Sequence, residues 1–192
     1  MQTNLFGKDL LNKMNTGGNG TKIPKGIHSK IKLKDIEITD TYVDIWFENP
    51  EDGKTINKRL WIPDINKTTA KEGMSVQETI ELRVHQALYH LLDLSQHMIG
   101  TETTANIPIG DLKSTAAAIR TLLMPYSNSK FLNLKVVTTQ DGKYPEISNF
   151  VGYLEPYVEG KEPTLEFKPS ELSRMHQSSI PDMPASDTTN IV

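Results

Sequence analysis

The two tryptophans of the chain, Trp46 and Trp61, lie in one short stretch, "YVDIWFENPEDGKTINKRLWIP", running from Tyr42 to Pro63. Val43, Ile45 and Phe47 alternate with Tyr42, Asp44, Trp46 and Glu48, and Leu60 and Ile62 alternate with Arg59 and Trp61. Successive side chains of a strand point to opposite faces, so the aromatics share a face with Arg59 and not with the apolar set. Lys30, Lys32 and Lys34 continue the pattern on an earlier strand, and Lys135 and Tyr153 on later ones. Flat rings interleaved with cations have a specific chemistry. A nucleobase stacks on each ring for roughly 1–3 kcal/mol, and the cations follow the phosphates, which makes binding salt-dependent. The candidate binding surface is therefore Lys30, Lys32, Lys34, Tyr42, Trp46, Arg59, Trp61, Lys135 and Tyr153. The competing reading is that a helical segment folds over this face and buries both tryptophans, as large aromatics usually are.

Other chemistries find less support. There are no cysteines, which excludes disulfides, thiolate metal sites and a cysteine nucleophile. His85, His90 and His97 are five, seven and twelve residues apart, which is not the i, i+4 pair of a helical metal site, and no H-E-x-x-H occurs. "NTGGNG" lacks the Lys-Ser/Thr of a phosphate loop and reads as a linker, "ENPEDG" reads as a solvated turn, and no G-x-S-x-G is present. The expectation is a protein that is not an enzyme and carries no cofactor or metal. A nuclease using Asp and Glu with a metal ion stands as a third reading.

These side chains need strands to hold them. In "KIKLKDIEI" the alternation slips near Lys34-Asp35, which predicts a bulge or bend in the first strand. The second strand follows, then the "NPEDG" turn and a third strand around Thr55 to Ile62. One register of that hairpin sets Ile45 against Ile62, Trp46 against Trp61 and Glu48 against Arg59; a slip of two keeps the faces. Apolar residues at helical spacing predict a long helix from Ser75, with Ser75 and Glu78 as a capping box, and a second from Asp111 to Met124 ended by Pro125. Strand pattern resumes in "FLNLKVVTTQDGKYPEISNFVGYLEP", with Leu132, Leu134, Val136, Phe150 and Leu154 facing inward. The fold class is mainly β (α+β): a five-stranded OB-fold-like antiparallel barrel with a helical insert between strands 3 and 4.

The ends differ from the centre. Residues 1–24 read as a flexible arm, 25–158 as the domain, and 159–192, rich in Pro, Ser and Glu, as a mostly disordered tail. The net charge is −3, but residues 1–34 carry seven Lys and one Asp, and Lys22, Lys25, Lys30, Lys32 and Lys34 fall in a stretch without an acid. Such a field gathers phosphates, although alternate lysines also suit the wet face of any strand. No signal peptide or long apolar run is seen, so a cytoplasmic protein with no membrane partner is expected.

"KIKLKDIEI", the tryptophan hairpin, the long helix and "KFLNLKVVTTQDGKYPEISNFVGYLEPY" together resemble the bacteriophage single-stranded DNA-binding proteins with an OB-fold, over residues 25–157. The resemblance implies coating of exposed DNA strands in replication or recombination in a bacterial host's cytoplasm, with RNA as another substrate and replication proteins recruited through the C-terminal tail. Two features depart from that pattern. The tail "DMPASDTTNIV" holds only Asp182 and Asp187 rather than an acidic run, and the hairpin tip is acidic. The reading from another class is a structural or protein-interaction module, a phage assembly component or regulator, that uses the Trp-bearing face.

Overall fold

The structure, a computed structural model, describes residues 22–150 and 152–177. Strands β1 (Gly26–Ile38), β2 (Tyr42–Glu48) and β3 (Thr55–Trp61) come first. Helices α1 (Val76–Ile99), α2 (Thr101–Ala105) and α3 (Leu112–Leu123) follow, then β4 (Phe131–Thr138), β5 (Pro145–Ile147), β6 (Leu154–Pro156) and α4 (Pro169–Gln177). The fold is α+β. Its ladders are antiparallel and run in the order β3-β2-β1-β4-β5, with β6 also on β4. Where a five-stranded barrel is expected, the sheet has six strands and is open: β3 and β5 lie beside one another at the two ends of the path, and no ladder joins them among the described residues.

Local sequence explains the elements. The predicted slip in β1 is present, with the β1–β2 register shifting between Leu33 and Asp35. A second irregularity separates His28 from Ile31 in the pairing with β4, where Lys30 takes a positive φ of 60°. At the hairpin tip Asn49 N–H donates to Lys54 O, Gly53 N–H donates to Asn49 O, and Gly53 has φ 69°. That leaves a four-residue loop and pins the register. Tyr42 consequently faces Trp61, Asp44 faces Arg59 and Trp46 faces Asn57. The pairing of Trp46 with Trp61 is overturned by four residues of slip, an even number that keeps both side chains on their expected face.

The long helix starts where expected. Ser75 accepts from the Glu78 N–H and Glu78 reaches back to the Ser75 N–H, and such a cap is worth about 1 kcal/mol. Asp111 caps α3 by accepting from the Ser114 N–H. Ala87, Leu88, Leu91, Leu94 and Met98 of α1 and Leu112, Ala116, Ile119 and Leu123 of α3 form one core with Ile31, Leu33, Ile36, Val43, Ile45, Phe47, Leu60, Leu132, Leu134, Val136 and Leu154. Each large aliphatic chain sealed there contributes about 1.5–3 kcal/mol. Among the described residues no helix is long and apolar enough to cross a membrane.

The segment after 158 differs most from expectation. Residues 159–177, read from the sequence as tail, end in α4, which packs against β4. Residues 1–21 and 178–192, which include most of the predicted arm and the rest of the predicted tail, lie outside the described residues, as does Val151. At the other end Ile23 is buried, its N–H donating to Thr55 O on β3.

Candidate nucleic-acid interface

The face of β2 and β3 opposite the core carries Tyr42, Asp44, Trp46, Glu48, Asn57, Arg59 and Trp61. Trp61 is 62% exposed. Its ring meets Tyr42 edge-on, centroids 6.0 Å apart at 78°. The Arg59 guanidinium lies 3.8 Å from the Tyr42 centroid and 5.3 Å from that of Trp61. Asp44 accepts from Arg59 Nε at 2.9 Å and Nη2 at 2.6 Å, which raises the Arg59 pKa further above its ordinary value. A bidentate carboxylate thus locks a guanidinium between two rings. The Asp44 side chain is buried in the process.

Trp46 is half-buried, and its Nε1–H donates to Glu37 Oε2 at 3.2 Å. The fear that a helix covers both tryptophans is not realised for Trp61, because α1 and α3 pack on the core side. Lys32 and Lys34 both pair with Glu48, at 2.8 and 3.0 Å, so these two lysines are matched on the spot. Those two lysines hold the Glu48 carboxyl below its usual range. Lys30 is exposed and makes no ion pair among the described residues.

Two of the nine expected surface residues are elsewhere. Lys135 is 1% exposed, although its strand parity is the predicted one. The segment ending in α4 covers that face of β4, and Lys135 Nζ donates to Glu166 O at 2.8 Å and Glu171 Oε2 at 3.1 Å. Tyr153 is fully buried, packed on His90 with centroids 5.5 Å apart, and burial pushes its phenol pKa up. The expected last strand is broken into β5 and β6 by the loop between Ile147 and Leu154, so alternation does not carry across it. Phe150, expected inward, is 38% exposed for the same reason. The structure therefore gathers Tyr42, Trp46, Arg59, Trp61, Lys32 and Lys34 on one surface, leaves Lys30 at its margin, and removes Lys135 and Tyr153.

No protein-family model, curated protein or solved structure matches the chain.

Sequence reasoning missed Lys58. It shares the parity of Ile56 and Leu60, and that signal alone places it on the core side, where it is buried. Its Nζ donates to Ser148 O at 2.9 Å and to Asn149 Oδ1, which ties β3 to the loop after β5. Burial lowers its pKa to about 8, against the opposing pull of Glu146. His90 lies close by, lowered to about 4 by burial and then by the Lys58 charge. A cleft of about 700 Å³ opens between β3 and α1 beside Trp61, and a second of about 530 Å³ between β3 and β5. Lys58, Arg59, Trp61 and Asn149 line both.

Proposed function

We propose that the protein binds single-stranded DNA with little sequence specificity, coating and protecting exposed strands in replication or recombination, with RNA as the close chemical relative. The observation that carries this reading is the exposed Trp61 ring with Arg59 fixed against it and Tyr42, a platform on which a base stacks without prior rearrangement. Lys30 at the margin supplies a phosphate contact, and the lysines on Glu48 exchange a carboxylate for a phosphate. The strand order, with β3 and β5 adjacent at the ends of the path, supports an OB-type Greek-key arrangement. The protein has no catalytic role in this reading.

Tryptophan fluorescence tests it. Emission should quench on adding oligo(dT) at low salt and recover at high salt, and Trp61→Ala should weaken binding by about 1–3 kcal/mol while Trp46→Ala does less. No quenching at micromolar concentrations refutes the reading.

A protein-interaction module is the second reading, favoured by one observation. Glu48 and Asp44 neutralise most of the cations on the face, and β3 is a sheet end. The Ile62 N–H bond to Thr41 O sets the ladder phase, so Asn57, Arg59 and Trp61 turn their backbone groups away from β2, as strand addition by a peptide requires. Recovery of a protein partner without quenching by DNA would select this reading.

A further inference from the structure

The larger cleft offers more than a flat stacking surface. Its walls are mostly apolar, with Leu60, Ile62, Pro63 and Ala87 facing one another across it and Trp61 at its mouth. Its volume of about 700 Å³ is in the range of small-molecule sites and exceeds what one base needs. Two polar side chains at the lining have unused hydrogen-bonding capacity. An ammonium has three donors, and Lys58 uses one on Ser148 O and one on Asn149 Oδ1. The Asn149 oxygen is thereby taken, which leaves its amide N–H₂ as donor. His90 lines the cleft with its ring, its Nδ1 being sealed inside without a partner among the described residues. Donors left without acceptors are costly in a partly dry lining, so the cleft gains from a ligand that brings acceptors to Lys58 and Asn149. Arg83 and Lys67 stand in the same lining and are exposed, Lys67 lying 3.5 Å from Asp64, a carboxylate that a phosphate would displace.

We propose that this cleft takes one nucleotide of a strand crossing Trp61, the base entering between the apolar walls toward Lys58 and Asn149 and a phosphate resting against Arg83 and Lys67. The inference rests on the single-stranded DNA reading and adds to it a base preference that open stacking does not give. Lys58 and the Asn149 amide are donors, so the cleft favours a base whose outer edge presents keto oxygens. Thymine, with two, fits better than cytosine, whose amino group would place donor against donor. Size and stacking are nearly the same for these two bases, so the difference isolates the hydrogen-bonding edge.

The test is a quenching titration of the full chain with dT12 and dC12 at one salt concentration. The wild type should bind dT12 at least fivefold more tightly. Asn149→Ala, on an exposed loop, should bring the two within twofold while leaving dC12 affinity nearly unchanged. Lys58→Met, which keeps the apolar stem, should do the same if circular dichroism shows it folded, and Asn149→Ala decides alone if it is not. Arg83→Ala should weaken both oligomers alike. Equal affinity of the wild type for dT12 and dC12, or a preference that survives Asn149→Ala, overturns the cleft and leaves the DNA reading standing. Failure of both oligomers to bind overturns the DNA reading itself, and the cleft with it.

Discussion

Replacing Glu171 tests the most consequential contact outside the candidate interface. The carboxylate is fully buried on α4, accepting from Lys135 Nζ at 3.1 Å, from the Lys168 N–H at 2.7 Å and from Ser148 Oγ. Glu171→Ala strands Lys135 in a dry site and removes the acceptor for two further donors. Breaking one partner of a buried pair costs about 3–5 kcal/mol, as long as the site stays closed. Undocking of α4 would rehydrate Lys135, so the global loss is capped by the docking free energy of residues 159–177. Two measurements follow from that cap. Urea unfolding followed by circular dichroism should show a loss of up to about 3–5 kcal/mol, and trypsin should cut readily after Arg174 under conditions where the wild type resists. The double variant Lys135→Met/Glu171→Leu should recover most of the stability, because apolar residues of similar volume replace a buried pair at little cost. The sign of the pH effect is also set. Burial favours the protonated acid, but the bonds from Ser148, Lys168 and Lys135 outweigh it and hold the Glu171 pKa below its ordinary value. A depressed folded-state pKa contributes stability above the unfolded value, about 4.3, that is lost as pH falls through the folded one. If Glu171→Ala unfolds within 1 kcal/mol of wild type and shows no new tryptic cleavage, the account of α4 as a docked element is wrong.

Further predictions concern β1 and the cleft. Lys30→Gly relieves a left-handed residue that costs roughly 1–2 kcal/mol, less the 0.5–1 kcal/mol of glycine's extra chain entropy, so urea unfolding should show a gain of up to about 1.5 kcal/mol; on the DNA reading the same variant binds oligo(dT) more weakly with a shallower salt slope. Lys58 binds its proton less tightly folded than unfolded, so wild-type stability should rise between pH 8 and about 10.4, and Lys58→Met should flatten that rise. Likewise His90 must stay neutral when folded, so stability should fall as pH drops from about 6.5 toward 4, less so in His90→Gln.

Much of the frame was legible because short-range rules decide it. Ser75 and Asp111 cap their helices through contacts three residues on, and the bulge at Lys34 follows from a break in parity. The face of each tryptophan was legible too, since parity survives any even slip. The partner of Trp61 was not, because the loop at Gly53 sets the register and turn geometry outranks pairing preference. Lys135 shows a different limit. Its parity holds, yet the covering element lies about 35 residues away in a polar segment held by contacts that are not local in sequence, the buried pair of Lys135 with Glu171 and the bonds of Thr164 to Glu155 among them. Tyr153 follows a loop that resets the alternation, and nothing local announces it.

Arg59 has a consequence for how association would feel to the protein. A free arginine surrenders rotamer freedom when it meets a ligand, at about 0.5–1.5 kcal/mol for a side chain of this kind. Here Asp44 and the two rings have already frozen it, so that entropy was lost during folding. A ligand reaching this surface finds a rigid plane whose remaining N–H groups are aimed in advance, and it would leave slowly for the same reason.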